Sequence, residues 1–297
     1  MTQHLKRLDE GIDEDTGNYY LGYRPADQDT RWAKYFNDTA VGLSQEFTSA
    51  LESSPFPPGT GLNIQQAAQA LSQPGYLQLE NGFTVNDDGT MMLAIRTEQP
   101  PEFSGEMFDF WFSWHVNDTT KYKLWNPAQH QYAAIDNHFI ADASTSQPYR
   151  ERYWNITSFV DEWIGDTAYK LSIAFFDPRI MNFTLEDSTT GIETIIMGFV
   201  DLFRYTEEDP TSMAQAGAGG TDVVLAHQIR KKPDGSGMEM RSRFFFGDLI
   251  TSGLALVDMR DQLAHDLSVH CAIEMGHVGS FLPALFEEFK DDIPTGV

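Results

Sequence analysis

The chain has 297 residues, 41% of them hydrophobic and 13% aromatic, which supplies one sizeable core or two unequal domains and excludes a disordered or fibrous chain. Lys and Arg total 20 against 44 Asp and Glu, a formal net charge of -24; that excess repels phosphate backbones and anionic lipid, so no nucleic-acid partner is expected. The start, MTQHLKRLDEGIDED, has no apolar targeting core, no run of about 18 apolar residues offers a membrane span, and the single cysteine, Cys271, excludes a disulfide framework or a thiolate-rich metal site.

A soluble, cytoplasmic protein is therefore expected, in which any metal is held by His and carboxylates. From Met1 to about Gly75 the chain reads as helices and loops, with a Pro/Gly-rich break at Ser54–Gly59 before an amphipathic stretch, Ile64–Leu71, that ends in Pro74-Gly75. Residues 1–75 form an N-terminal, mainly helical cap or subdomain in this reading, and residues 76–297 the main domain. Two consecutive hairpins are expected next: Tyr76–Leu79, a turn at Asn81-Gly82, Phe83–Val85, a turn at Asp87-Asp88-Gly89, and Met91–Ile95. Strand character continues in the aromatic run Met107–Val116 and in Tyr169–Phe176, Ile195–Phe203, Val223–Ile229 and Met238–Phe246, the last two flanking a turn at Pro233–Gly237. A short helix is expected over Ile156–Ile164 and a long one over about Leu256–Met275, interrupted by Gly276, Gly279 and Pro283 before a last helical segment, Ala284–Phe289. A mostly antiparallel sheet built of hairpins, curled round a long C-terminal helix, is an α+β arrangement that leaves room for a ligand cavity between the two.

The local pattern with most chemical content is His270-Cys271-Ala272-Ile273-Glu274. A spacing of four sets the imidazole and the carboxylate one above the other on one helix face. His138 and Asp142 share that spacing, but His270 and Glu274 are the only strongly polar side chains between Leu267 and Met275, on a helix apolar nearly all round and therefore buried. A buried carboxylate must be paired, protonated or bound to a metal. One reading satisfies Glu274 with a sheet arginine, Arg241 or Arg243, and leaves His270 as a hydrogen-bonded core histidine. The other makes the pair half of a metal site. Further ligands are on offer from the stretch Trp114–His130, where Pro127 marks a loop that holds His130, and from Glu162 in the expected short helix, whose alternative is a solvated helix face. Cys271 cannot pair with His270 as a nucleophile, because adjacent helix residues point about 100° apart; it reads as packing. No Gly-x-Ser-x-Gly occurs, and Gly217-Ala218-Gly219-Gly220 lacks the Lys-Ser/Thr of a phosphate loop; it reads as a flexible loop.

Taken in order, Trp114-His115, Asp118, Tyr122-Lys123-Leu124-Trp125, Pro127 and His130, then Arg150-Glu151-Arg152-Tyr153, Val160–Gly165, Arg241-Ser242-Arg243-Phe244 and His270–Glu274 resemble the diacetylphloroglucinol and phloretin hydrolases over roughly residues 76 to 290. The resemblance implies a helix-grip fold like that of the START and Bet v 1 proteins and a zinc-dependent hydrolase that splits the carbon–carbon bond between an acyl group and a phloroglucinol ring. It implies Zn²⁺ ligands His130, Glu162, His270 and Glu274, pocket groups Tyr122 and His227, an acylated polyphenol substrate and a homodimer. The chain departs from that pattern at Asn126, where a histidine is expected, and at Phe244-Phe245, where a hydroxyl-bearing aromatic could stand. The reading from a different class is a helix-grip protein that only binds an aromatic or polyketide ligand; two histidines and two carboxylates would also suit Fe²⁺ or Mn²⁺.

Overall fold

Strands that are covered on both faces lose the alternation of apolar and polar residues, and this chain is built largely of such strands. The computed structural model describes residues 20–39, 41–135, 147–204, 223–247 and 257–292. Its centre is an eight-stranded sheet: β1 (Gly82–Val85), β2 (Met91–Gln99), β3 (His130–Ile135), β4 (Thr157–Ile164), β5 (Thr167–Phe176), β6 (Ile192–Arg204), β7 (Val223–Lys231) and β8 (Met238–Phe246). The order across the sheet is β1-β2-β8-β7-β6-β5-β4-β3, with every neighbouring pair antiparallel. The helices are α1 (Gln45–Glu52), α2 (Ile64–Leu71), α3 (Gly105–Trp114), α4 (Thr119–Tyr122), α5 (Tyr149–Tyr153) and α6 (Val257–Phe289).

Parity along the strands separates two cores. Met91, Leu93 and Ile95 of β2 and Phe244 and Phe246 of β8 join Leu267, Cys271, Met275 and Leu282 of α6 in the main core. Met92, Ala94 and Phe245 face the other way and pack with Ala67, Leu71 and Leu79 of the preceding segment. The sheet thus grips α6 on one side and is covered by residues of the N-terminal portion on the other, the expected α+β helix-grip arrangement. The stretch Ile64–Leu71 is the helix expected, capped by Asn63, whose side chain accepts from Gln66 N at 2.9 Å. The turn joining β7 to β8 closes through Lys232 N to Gly237 O at 2.9 Å, with Gly235 at φ +72°. Cys271 is fully buried in the main core, as packing requires.

Several expected elements differ. Tyr76–Leu79 is a loop, so one hairpin replaces two; its polar groups are held by side chains, Glu80 accepting from Leu77 N at 2.7 Å and Arg230 donating to Gly75 O at 2.8 Å. Met107–Val116 lies mostly in helix α3, started by Ser104, which accepts from Met107 N. In a run rich in aromatic residues β propensity is high, and packing overrides it. The expected helix Ile156–Ile164 is, from Thr157 to Ile164, strand β4: Phe159, Val160, Trp163 and Ile164 mimic a helical stripe because most of the strand is buried. The C-terminal helix runs unbroken through Gly276, Gly279 and Pro283. A Cβ at Gly279 would stand 2.4 Å from Gln99 Oε1 and 2.9 Å from Pro100 Cδ, so this glycine answers to close packing on the end of β2. His138, Asp142 and Gly217–Gly220 lie outside the described residues.

Candidate metal centre

His130 opens β3 and is the cross-strand partner of Glu162 on β4, so the antiparallel register alone sets their side chains on one face of the sheet. The loop expected to carry His130 ends just before it: the His130 backbone N–H donates to Asn126 O at 2.8 Å. Glu162 is not on a solvated helix face; it is 6% exposed on a strand whose Ser158, Val160, Glu162 and Ile164 line one cavity. Helix α6 brings His270 and Glu274 over the same spot, both buried.

Backbone carbonyls orient both imidazoles. His130 Nδ1 lies 3.0 Å from Tyr122 O and His270 Nδ1 lies 3.0 Å from Trp163 O. A carbonyl only accepts, so each Nδ1 carries the hydrogen and each neutral ring offers its Nε2 lone pair to the site. His130 Nε2 stands 3.3 Å from Glu274 Oε2 and 3.8 Å from Glu162 Oε2. His270 Nε2 stands 3.6 Å from Glu274 Oε2 and 3.7 Å from Glu162 Oε1. Buried, His130 Nε2 has no hydrogen-bond partner. Two lone pairs and two carboxylates facing one another in a buried place call for a cation. Burial opposes charge on His270, yet Glu162 and Glu274 outweigh it and hold the imidazole up, while for Glu274 burial is outweighed by His270 and His130, which hold the carboxyl down.

A divalent ion meets the same demand. Ligand bonds of about 2.0–2.1 Å give a tetrahedron with edges of about 3.3–3.4 Å, close to the separations above. His130, His270 and Glu274 form a group compact enough to hold a metal ion, with Glu162 beside it and tied to Tyr122, whose hydroxyl donates to Glu162 Oε2 at 2.5 Å. Tyr122 also stacks on His130, centroids 3.8 Å apart and planes 4° from parallel. The arginine alternative for Glu274 fails: Arg241 pairs with Glu80 at 2.6 Å and Arg243 pairs with the same carboxylate.

The cavity above this centre is lined by aromatic and aliphatic side chains, among them Phe112, Trp125, Leu171, Phe175 and Phe244. His227 also lines it; its Nδ1 is 2.8 Å from Ser242 Oγ, and burial pushes the ring down to about 4, so it is neutral near pH 7. Of the two departing phenylalanines, Phe244 faces the cavity and Phe245 the opposite core. Asn126 donates to Gln129 Oε1 at 2.7 Å in the turn before β3. His115, at the end of α3, lines the cavity; the sequence reading named it within the family pattern and the Trp114–His130 stretch but gave it no individual role. The strand reading of Met107–Val116 hid the signal, a spacing of four from Trp111 that lets a helical imidazole meet that residue's carbonyl.

A family model described as "DAPG hydrolase PhiG domain" matches residues 62–287. The chain is 26% identical to a 2,4-diacetylphloroglucinol hydrolase of Pseudomonas protegens, covering 91% of this chain and 88% of that one. It is 23% identical to a phloretin hydrolase of Eubacterium ramulus, over 96% and 99% of the two chains. Among solved structures, ginseng major latex-like protein 151 from Panax ginseng matches 61% of this chain and 97% of its own, at 12% identity and a TM-score of 0.32. With the family model spanning most of the length, and two histidines and two glutamates converging beneath an aromatic cavity, the chain belongs to the DAPG hydrolase family and is an enzyme of the hydrolase class.

Proposed function

We propose that the protein hydrolyses the carbon–carbon bond between an acyl group and a phloroglucinol ring, with Zn²⁺ held by His130, Glu162, His270 and Glu274. The observation that carries this reading is the convergence of two orientated Nε2 atoms and two buried carboxylates at one end of an aromatic cavity. Direct hydrolysis of an aryl ketone would expel an aryl carbanion, a very poor leaving group. A phloroglucinol ring offers another route: in its keto form the acyl group belongs to a β-diketone, and the departing carbon leaves as an enolate that becomes aromatic again. A zinc ion supplies Lewis acidity toward a ketone oxygen and toward water.

The chain's own groups handle the ring. Because the Tyr122 hydroxyl donates to Glu162, its remaining lone pairs accept from a ring hydroxyl. His227 is the complement: when Ser242 donates to its Nδ1, the Nε2 hydrogen is free to donate to a ring carbonyl. The two together favour protonation at the ring carbon, which produces the keto form. The aromatic lining excludes bulk water and strengthens each of these contacts.

Metal analysis by inductively coupled plasma mass spectrometry, with chromatographic assay of phloroglucinol release from phloretin and from acetylated phloroglucinols, tests the reading. About one zinc per chain together with turnover, both lost in Glu274→Ala, supports it; a metal-free, folded protein without turnover moves the chain to a ligand-binding role. A homodimer, a cytoplasmic location and a division between residues 1–75 and 76–297 belong to the same proposal and are tested by sedimentation, fractionation and limited proteolysis. Among the described residues no helix is long and apolar enough to cross a membrane.

A further inference from the structure

We propose that His115 is a specificity-determining residue whose Nε2 accepts a hydrogen bond from a ring hydroxyl of the phenolic substrate. The inference rests on the reading above only in taking the ligand to be a polyhydroxylated ring. His115 is 3% exposed and lines the cavity that also holds Tyr122, Glu162, His227, His270 and Glu274. Its Nδ1 sits 2.6 Å from Trp111 O. That oxygen only accepts, so the hydrogen is on Nδ1 and Nε2 keeps its lone pair. Burial pushes the imidazole down to about 3, so near neutral pH Nε2 stays an acceptor.

The ring is also fixed in its plane. It stacks on Trp111, centroids 4.4 Å apart and planes 19° from parallel, and on Tyr122 at 5.9 Å and 12°. Phe112 and Trp125 meet it edge-on, each at 5.3 Å. An imidazole held by one carbonyl and four aromatic rings does not turn to present a donor. His227 differs, because its Nδ1 partner is a hydroxyl that either donates or accepts. Around a trihydroxylated ring the cavity therefore offers, outside the proposed metal ligands, an acceptor of fixed tautomer. A hydroxyl facing it is satisfied; a hydrogen at the same place leaves Nε2 desolvated and unpaired, and the analogue without the hydroxyl is rejected.

The test uses the full-length, metal-loaded protein and ethylphloroglucinol, whose ethyl group breaks the ring's symmetry and carries no ketone to hydrolyse. Its two deoxy analogues, 2-ethylresorcinol and 4-ethylresorcinol, complete the series. By calorimetry, wild type is expected to bind the trihydroxy ligand about tenfold more tightly than at least one analogue, and His115→Phe, which keeps the stacking, to lose that preference. His115→Gln, whose amide oxygen is an acceptor, is expected to restore part of it. A preference unchanged in His115→Phe, an equal loss for every ligand, or no binding by wild type overturns the proposal. Should the variants fail to fold, 15N-imidazole NMR of wild type decides. A shift of the His115 Nε2 resonance with ethylphloroglucinol but not with 1,3,5-trimethoxybenzene supports the contact, and no shift overturns it. Selective binding without turnover of any acylphloroglucinol sinks the hydrolase reading and leaves the His115 contact standing, whereas turnover with an unaltered preference in His115→Phe does the reverse.

Discussion

Tyr122 serves the centre in three ways at once: its carbonyl orients His130, its ring lies on the same imidazole, and its hydroxyl holds Glu162. Burial, with Glu162 and Glu274 nearby, raises the phenol far above its usual range, so the hydroxyl stays protonated and continues to donate. Tyr122→Phe removes only the third of these links. The variant is expected to fold with its metal and to lose about 100-fold in kcat, the lower end of what a positioned proton-handling group contributes; steady-state kinetics beside metal analysis checks this, and an unchanged kcat would remove Tyr122 from the chemistry. Where the residue scale was legible in the sequence, the geometry was local. His270 and Glu274 share a face because a helix sets residues four apart together, whatever surrounds them. The orientation of His115 was not legible because its partner is a backbone carbonyl, which no pattern of side chains announces.

Among the elements, α6 carries the most. It supplies two members of the centre, and side chains outside it hold its carbonyls: Gln99 at the end of β2 donates to Met275 O at 2.7 Å, and Trp125 before β3 donates to Glu274 O at 2.9 Å. Gly279 stands where the helix meets Gln99 and Pro100, and Gly276 meets only Val41, at 3.3 Å. Gly279→Ala is expected to destabilise by about 1–3 kcal/mol, overpacking outweighing the better helix propensity of alanine. Gly276→Ala is expected to change stability by less than about 1 kcal/mol, since one side chain has to give by a few tenths of an ångström. Urea midpoints of the two variants at constant m-value separate these outcomes. The glycines and Pro283 look like breaks in the sequence because local propensity prefers a break there; the buried Leu282, Leu285, Phe286 and Phe289 hold the helix together beyond them.

Across the whole molecule, the loop before β1 is fastened to the outer face of the sheet by charge. Glu80 receives Arg241 and Arg243, and Arg230, paired at 2.8 Å with Glu239 of the neighbouring strand, donates to Gly75 O of the loop. Burial opposes the Glu80 charge, but Arg243 and Arg241 reverse that and bring the carboxyl down to about 2 from an ordinary 4.5. A carboxyl held below its unfolded value stabilises the fold above about pH 4.5 and loses that contribution as pH falls toward 2. Glu80→Gln leaves two buried guanidiniums short of a counter-charge, so it is expected to cost about 3–5 kcal/mol at pH 7. Its deficit against wild type should shrink as the pH is lowered from 4.5 toward 2; denaturant titrations across that range measure it, and a deficit independent of pH would refute the assignment. A metal at the proposed site would act at the same scale, because its proposed ligands come from β3, β4 and α6. Chelation of the holoprotein is expected to lower the thermal midpoint, by the equivalent of about 3 kcal/mol when the free ion had stood at 100 times its Kd; calorimetry before and after dialysis against a chelator tests it.

By itself the sequence determined what depends on composition and on neighbours close in the chain. One cysteine restricted the ligand chemistry to nitrogen and oxygen donors, the amphipathic stretch Ile64–Leu71 and the Pro233–Gly237 turn marked a helix and a hairpin, and the His270–Glu274 spacing marked a helix face. The tertiary structure decided the rest. Glu162 faces His130 because β3 and β4 pair in one register, and register depends on residues 32 positions apart. The strand Thr157–Ile164 and the helix Gly105–Trp114 exchanged identities in the sequence reading for a single physical reason. Both are largely buried, and where apolar residues are buried on more than one face their period no longer tells a strand from a helix.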